Sequence, residues 1–462
     1  MTLRDYISSL EGKRVSVIGF GISNRPLVQL LAGSGCRLTV RDRSAREALG
    51  DECDGLESAG VRFVLGEDYL EGLDEDVIFR TPALLPDRPQ LAAAAAAGSL
   101  VTSEMEVFFH LCPCRVIAVT GSDGKTTTTT LISELLKAQG YRVWLGGNIG
   151  HPLLAEVDGM GAEDLCVLEL SSFQLHSMRC APDVAVITNL SPNHLDIHSS
   201  YEDYILAKKQ IFANQNPAAR LVLNADNAVT AALAGEASSE VSWFSRRNAV
   251  SAGCYLDGEG RLCRADGKGV LPAAELRIPG DHNVENALAA LAATEGLVSD
   301  ETAAAVLRRF AGVPHRLETV CECRGVRFIN DSIASSPNRT IAGLSCFSDK
   351  LILIAGGKDK GIPFDALGPA VCEHVKTLIL TGPTAQTIRA AVEAAPNYRP
   401  GCLTIRLIEG FRDAVIAGAE SAGAGDVVLL SPACTSFDRF RNFEERGDTF
   451  KSIVKELTAS WN

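Results

Sequence analysis

The segment Thr120-Gly121-Ser122-Asp123-Gly124-Lys125-Thr126-Thr127 packs glycines, hydroxyls and one lysine into a single short run. Glycines let backbone N–H groups wrap a phosphate chain, a following helix N-terminus adds positive potential, Lys125 neutralises phosphate charge, and the Thr126 hydroxyl can ligate Mg²⁺. Val119 stands where the common phosphate-loop pattern has its first glycine, which shortens the loop to G-x-x-G-K-T. Two further groups follow apolar runs: Glu169 in Glu169-Leu-Ser-Ser172-Phe-Gln-Leu175 and His194 in Asn189-Leu-Ser-Pro-Asn-His194-Leu-Asp196. A carboxylate and an imidazole near a triphosphate suit Mg²⁺ ligation. Either alone would read as a solvated acid or a structural histidine. Beside a phosphate loop they read as a metal site.

These residues need elements to carry them. Val116–Thr120 has the apolar content of a buried strand, and a helix is expected from Lys125 to about Ala138. Further strands fit at Leu165–Leu170, Val184–Leu190 and Leu221–Leu223. In a doubly wound sheet ligands gather at the carboxyl ends of strands, so Glu169 and His194 should face the crevice that holds Lys125. The stretch Val241–Ile278, with turn pairs Asp257-Gly258 and Asp266-Gly267, suggests a small antiparallel insert.

Before this region, Val15–Ile18 leads into Gly19-Phe-Gly21 and a helix-like stretch, and a second apolar run ends at Asp42. That is a βαβ beginning, continued by strands at Val61–Leu65 and Asp76–Arg80. Asn24 replaces the third glycine of the dinucleotide fingerprint, while Asp42 lies about 20 residues on, as a ribose-binding acid would. A nucleotide diphosphate, an NAD cofactor and a plain tight turn all remain compatible with it. After Val313-Pro314, strand-like runs at Val326–Asn330, Leu351–Ala355, Thr377–Thr381 and Val427–Leu430 alternate with helical segments. The expected fold class is α/β in three lobes. These are a Rossmann-like lobe over residues 1–98, a central P-loop-type, mostly parallel ATPase lobe with the antiparallel insert over 99–312, and a Rossmann-like C-terminal lobe over 313–462.

Composition narrows the class. The 462 residues are 46% hydrophobic and carry a formal net charge of −13, which argues against a nucleic-acid partner. The first residues, MTLRDYISSLEGKR, are charged where a secretory signal needs an apolar core, and no stretch reaches about 18 uncharged apolar residues. A cytoplasmic protein without a membrane span is expected. The 14 cysteines are scattered along periodic segments, and the pairs Cys112/Cys114 and Cys321/Cys323 lack zinc spacing, so reduced thiols are expected.

Taken together, TGSDGKTT, Gly146-Gly-Asn148-Ile-Gly150, ELSSFQL, NLSPNHLDIH, Ala207-Lys208, His282-Asn283-x-x-Asn286, Pro314-His315-Arg316, Asn330-Asp331-Ser332, Gly356-Gly-Lys-Asp-Lys360 and Ser431-Pro-Ala-Cys-Thr-Ser436-Phe-Asp-x-Phe-x-Asn442-Phe443-Glu-x-Arg446-Gly resemble the Mur ligase family. The order and spacing match over nearly the whole chain. GGNIG, ELSSFQL and the C-terminal motif are most similar to its D-glutamate-adding branch. The resemblance implies an ATP-dependent ligase that joins D-glutamate to UDP-N-acetylmuramoyl-L-alanine through an acyl phosphate, in peptidoglycan precursor synthesis. It implies ATP contacts at Gly121, Ser122, Asp123, Gly124, Lys125, Thr126, Thr127, Asn148, Asn283, Asn286, Arg316 and Asp331. Two Mg²⁺ ions are implied, with Thr126 and Glu169 matching ligands of the first and His194 a ligand of the second. Lys208 matches a lysine that becomes carbamylated and helps hold magnesium; the Ala-Lys-x-x-Ile pattern selects it over Lys209. Lys125, His194 and Lys208 are the implied catalytic residues. Lys360, Ser436 and Phe443 match positions that hold D-glutamate. The UDP-linked substrate falls to the first lobe, at Ser23, Asn24, Asp42, Arg43 and Thr81. A monomer is expected, with the third lobe contributing when the lobes close.

The sequence departs from the family pattern twice. Ile333-Ala-Ser335 stands where many relatives have Lys-Ala-Thr, and Ala83 follows Thr81-Pro82 where relatives commonly have glycine. The alternative function is another Mur-type or folylpolyglutamate-type amino-acid ligase. An NAD-dependent oxidoreductase or a regulatory P-loop module would explain Gly19–Gly21 or the Lys125 loop, but not both together with Glu169, His194 and Asn283.

Overall fold

The computed structural model describes residues 1–462 apart from Ile22, Asp51, Cys180, 194–196, Pro279, Lys360, Gly361, Ser460, Asn462 and the side chain of Ala48. The chain divides into two compact units, Met1–Phe310 and Ala311–Asn462. Three sheets build them, each dominated by parallel strands with helices between, as the α/β pattern requires.

The first sheet has the strand order Arg62–Leu65, Arg37–Asp42, Arg14–Ile18, Val77–Phe79, Leu100–Thr102, all parallel. Its last strand lies just past residue 98. Arg41, next to Asp42, is buried against Glu75 at 2.8 Å and donates to the carbonyls of Tyr69, Glu71 and Gly72, so its charge is paired and its donors are used.

In the central sheet, Arg115–Thr120 runs between Leu165–Glu169 and Val184–Ile187, with Val143–Gly147 outside the former. Arg220–Asn224, Glu240–Ser245 and Gly253–Leu256 continue the other side in parallel, and Arg261–Arg264 and Gly269–Pro272 close that edge antiparallel. The expected antiparallel insert is therefore no separate body. Its pieces extend the central sheet to nine strands, and antiparallel pairing begins only at the Asp257-Gly258 turn. Helix Lys125–Gln139 packs Leu131, Ile132, Leu135 and Leu136 against this sheet, and Gly140 ends it at φ 105°, a left-handed cap that costs glycine no Cβ clash. Helix Asp281–Ala293 is apolar on every side from Ala287 onward, because it packs against both helix Lys125–Gln139 and the strands. One apolar core, with Val15, Val17, Phe108, Ala118, Cys166 and Leu168 among its members, runs through the first sheet and one face of the second. That continuity is why the first two sheets form one unit.

The third sheet has the order Glu318–Cys323, Val326–Asn330, Val427–Leu430, Leu351–Ala355, Val375–Leu380, Thr404–Leu407, antiparallel only at its first pair. Thr404–Leu407 and Glu318–Cys323 escape a reading by apolar runs because they are edge strands, each with exposed residues among its half-buried ones. Among the described residues no helix is long and apolar enough to cross a membrane.

Candidate active site

The carboxyl ends of four central strands converge. Val119 and Gly147 lie opposite Glu169 in register, and Thr120 lies opposite Ile187. Between Thr120 and helix Lys125–Gln139 the chain must turn sharply with its amides inward. Gly121 (φ 146°) and Gly124 (φ 75°) make this possible, since a Cβ on the first would collide with Thr188 Oγ1 and one on the second with Asn286 Oδ1.

The neighbouring strand ends hold the loop in shape. Ser122 N donates to Asn189 O at 2.9 Å, Asp123 N to Asn189 Oδ1 at 2.9 Å, and Thr188 Oγ1 to Asp123 O at 2.6 Å. Ser122 Oγ donates to Ser191 O and lies 2.9 Å from Tyr204 OH. Lys125 Nζ curls over the loop, donating to Gly121 O at 2.9 Å and Ser122 O at 2.8 Å. Thr126 is buried in the first helical turn. The concave loop thus presents amides, one ammonium and a helix N-terminus, the equipment for binding a phosphate chain.

Glu169 is 2% exposed. Its Oε1 accepts from Asn148 Nδ2 at 2.7 Å, and its backbone carbonyl accepts from Asn148 N at 2.7 Å. Gly147 (φ 94°) allows that close approach, because a Cβ there would collide with Glu169 O. The other carboxylate oxygen, Oε2, is buried without a hydrogen-bond partner among the described residues. A buried acceptor-only oxygen left unpaired is costly, and a divalent cation is what would satisfy it. The donors present therefore fit Mg²⁺.

Lys208 is 1% exposed, its Nζ 3.1 Å from Thr120 Oγ1 and 4.8 Å from the centre of the Tyr204 ring. Burial, helped by the positive charge of Lys125 and opposed by Glu169 and Asp123, drives its pKa well below the ordinary lysine value. Burial of this kind favours the neutral amine, the form that can react with CO₂. Lys209 points elsewhere and pairs with Glu236.

Asn286 Nδ2 donates to Asn283 Oδ1 at 3.2 Å, and Thr128 Oγ1 donates to Asn286 Oδ1 at 3.2 Å, joining helix Asp281–Ala293 to the loop helix. In the first sheet, Asp42 accepts from Phe20 N at 2.6 Å and Ser44 N at 2.7 Å. Asn24 is buried and donates to Ile18 O and Gly19 O, closing the turn where a third glycine would sit. Thr81 packs against Gly19, where a Cβ would lie 3.0 Å from Thr81 Cβ. Ser23 is exposed, and Arg43 is exposed and paired with Glu67 at 3.2 Å.

In the second unit Asp331 is buried, accepting from Ser431 Oγ at 2.8 Å and Leu317 N at 3.2 Å. Burial pushes its carboxyl up to about 7 against the pull of those hydrogen bonds. His315 (φ 62°) and Leu317 (φ 44°) flank the exposed Arg316 in the left-handed region, a strain typical of functional segments. Arg446 is buried and donates to Ser332 Oγ, Ser332 O and Cys434 O at 3.0, 2.8 and 3.1 Å. Ser332 Oγ in turn donates to the carbonyl of Phe443 at 2.7 Å. Ser436 is 2% exposed.

Models of two families match the chain: the Mur ligase middle domain over residues 119–294, and the Mur ligase glutamate ligase domain over 315–434. The UDP-N-acetylmuramoylalanine--D-glutamate ligase of Acetivibrio thermocellus is 49% identical, covering 99% of both chains. That of Ruminiclostridium cellulolyticum is 47% identical, over 98% of this chain and 99% of its own. The chain belongs to the Mur ligase family, in its UDP-N-acetylmuramoylalanine--D-glutamate ligase branch. The fold agrees: the crystal structure of the UDP-N-acetylmuramate-alanine ligase MurC of Thermotoga maritima aligns with a TM-score of 0.54 at 19% identity, over 97% of this chain and all of that one.

For this Mur ligase, the central sheet brings together Lys125, Thr126, Asn148, Glu169 and Lys208, with Asn283 and Asn286 on the helix beside them. His194 and Lys360 lie outside the described residues. Sequence reasoning gave no role to Thr120, Thr188, Asn189 or Tyr204, which hold the loop and Lys208. The signal was present only as hydroxyls and an amide next to recognised motifs.

Proposed function

We propose that this Mur ligase adds D-glutamate to UDP-N-acetylmuramoyl-L-alanine with ATP, in peptidoglycan precursor synthesis, through the residues assembled on the central sheet. The observation that carries the chemistry is the half-buried Lys125 on the phosphate loop beside the buried Glu169 and Lys208, with the charges of Lys125 and Glu169 both acting on Lys208. The substrate pair follows from the near-full-length relatives that bear its name.

In the first step the substrate carboxylate attacks the γ-phosphorus of ATP. A carboxylate-oxygen to phosphorus bond forms, the β–γ bridge breaks, and ADP leaves. Two anions must meet, so charge control dominates the barrier. Lys125 and the loop amides hold the phosphates, and Gly121, Ser122, Asp123, Gly124 and Thr127 complete the cradle. Thr126 and Glu169 would hold one Mg²⁺, and His194 and Lys208 a second, which would supply the remaining charge neutralisation. Lys208 contributes as a carbamate: its neutral amine forms an N–C bond to CO₂ and loses a proton, turning a cation into an anionic ligand. Asn148 orients Glu169. In the second step the D-glutamate amine attacks the acyl carbon, phosphate departs from the tetrahedral intermediate, and the amine loses a proton.

Asn283 and Asn286 contact the adenine, and Arg316 and Asp331 serve the phosphate and ribose of ATP. Lys360, Ser436 and Phe443 hold D-glutamate; Arg446, by tying Ser332 to the Phe443 segment, keeps that wall in place. Residues 1–98, with Ser23, Asn24, Asp42, Arg43 and Thr81, receive the UDP moiety. Asn24 acts there through the turn it closes. The enzyme works as a cytoplasmic monomer. Phosphate release that requires both UDP-N-acetylmuramoyl-L-alanine and D-glutamate is the expected result. Equal turnover with L-lysine, meso-diaminopimelate or L-alanine would overturn the D-glutamate assignment.

A further inference from the structure

Apart from the phosphate-loop centre, His176, His198 and Asp203 each offer a donor atom, and these atoms lie within 4.8 Å of one another. They come from three segments: His176 ends helix Ser172–Leu175, Asp203 lies in the first turn of helix Tyr201–Lys209, and His198 lies in the loop that enters that helix. Both rings converge on one carboxylate, His176 Nε2 at 3.3 Å from Oδ1 and His198 Nδ1 at 3.0 Å from Oδ2.

The far side of His198 is fixed. Its Nε2 lies 2.9 Å from Ser172 Oγ, and its ring stacks on Phe173 and meets Tyr204 edge-on. A ligating histidine is usually oriented by a partner on its second nitrogen, and Ser172 fills that place. His176 differs, because its Nδ1 is buried without a hydrogen-bond partner among the described residues. Among the described residues, Asp203 gives that ring its polar contact. The nitrogen that faces the carboxylate is Nε2, so Nε2 is the atom of His176 that would ligate an ion at this cluster.

We propose that His176, His198 and Asp203 form a further cation site, for a borderline transition-metal ion such as Zn²⁺ or Co²⁺, separate from the magnesium centre. Two imidazoles and one carboxylate select such ions over Mg²⁺, which prefers an all-oxygen shell. Bonds of about 2.0–2.1 Å in a tetrahedral shell put donors about 3.3 Å apart, and the three donor atoms here lie within 4.8 Å of one another, so the side chains would draw together around one ion. With side chains of His176 and Asp203 18% and 25% exposed, and that of His198 fully buried, the group keeps an open side for water as a remaining ligand. A bound ion would clamp helix Ser172–Leu175 to helix Tyr201–Lys209, which carries Lys208 five residues after Asp203.

The test is Co²⁺ titration of the full-length protein, stripped of metal and held in saturating Mg²⁺ without nucleotide, followed by visible d–d absorption. A saturable signal of one Co²⁺ per chain is expected. His176→Ala and Asp203→Asn should each weaken it at least tenfold, and Glu169→Gln should leave it in place, with circular dichroism verifying that every variant is folded. His176 is partly exposed, so its truncation should not disturb the core. Absence of a saturable signal overturns the site. So does a signal that survives both His176→Ala and Asp203→Asn, one lost in Glu169→Gln, or thiolate-to-cobalt charge-transfer bands that place the ion on cysteines. Because the readout is metal binding, it is independent of whether D-glutamate is the amino acid added.

Discussion

Lys208 Nζ lies 3.1 Å from Thr120 Oγ1, whose own proton goes to Leu170 O at 2.7 Å, so a buried amine is fixed by the last residue of the strand that starts the phosphate loop. This couples the lysine proposed for the metal side to the loop proposed to bind phosphate. Thr120→Val should leave the loop intact but release Lys208, lowering kcat about tenfold with a small change in the KM for ATP, as expected for losing a hydrogen bond of about 1–1.5 kcal/mol.

The two lysines should fail differently. Lys125→Ala removes the phosphate-neutralising charge and should reduce turnover by about 10³-fold or more, with no recovery by added acids. Lys208→Ala should lose a comparable amount but regain part of it with short carboxylic acids, which replace the missing anion. Steady-state phosphate release with and without acetate distinguishes the two. Equal rescue of both variants would contradict the roles assigned.

Burial of Lys208 also has a stability signature. Its folded pKa lies below the unfolded one, so below about 10.4 the unfolded chain binds a proton that the folded chain refuses, and stability rises with pH between the two values. With CO₂ excluded, Lys208→Met should therefore be more stable than the parent at pH 7, by on the order of 1–3 kcal/mol, and the advantage should shrink toward pH 10. Urea midpoints across that range measure it.

Asp331 behaves oppositely. Its carboxyl, raised to about 7 by burial, holds a proton that the unfolded chain releases near pH 4. Stability of the second unit is fully present below that pH and falls as pH rises toward 7, by an amount on the order of a few kcal/mol. Asp331→Asn should abolish this slope, which thermal midpoints between pH 4.5 and 7.5 would reveal.

Gly124→Ala should be damaging where Gly140→Ala is not. Both glycines have positive φ, but only the Gly124 Cβ would meet Asn286. Each substitution carries a backbone cost of about 1–2 kcal/mol. Gly124→Ala should in addition raise the dissociation constant for ATP by more than tenfold, read by isothermal titration.

The sequence by itself determined the chemistry-bearing types and their order. TGSDGKTT between an apolar run and a helical pattern marked a candidate phosphate loop, because turn, dipole and charge are local properties. Lys125, Thr126 and Glu169 could be named for the same reason, as could the alternation of strands and helices in three lobes. The tertiary structure decided what depends on distant pairing. To the motif pattern's preference for Lys208 over Lys209 it added the physical difference: Lys208 is buried against Thr120 and Tyr204, while Lys209 pairs with Glu236. It turned the antiparallel pieces after Val241 into the edge of the central sheet, because strand register across long separations leaves no local periodic mark. It spent the Asn24 amide on Ile18 O and Gly19 O, a closure that only the folded turn can show. Finally, it gathered His176, His198 and Asp203, whose spacing along the chain fits no metal motif, because three segments pack where helix Tyr201–Lys209 meets the end of Ser172–Leu175.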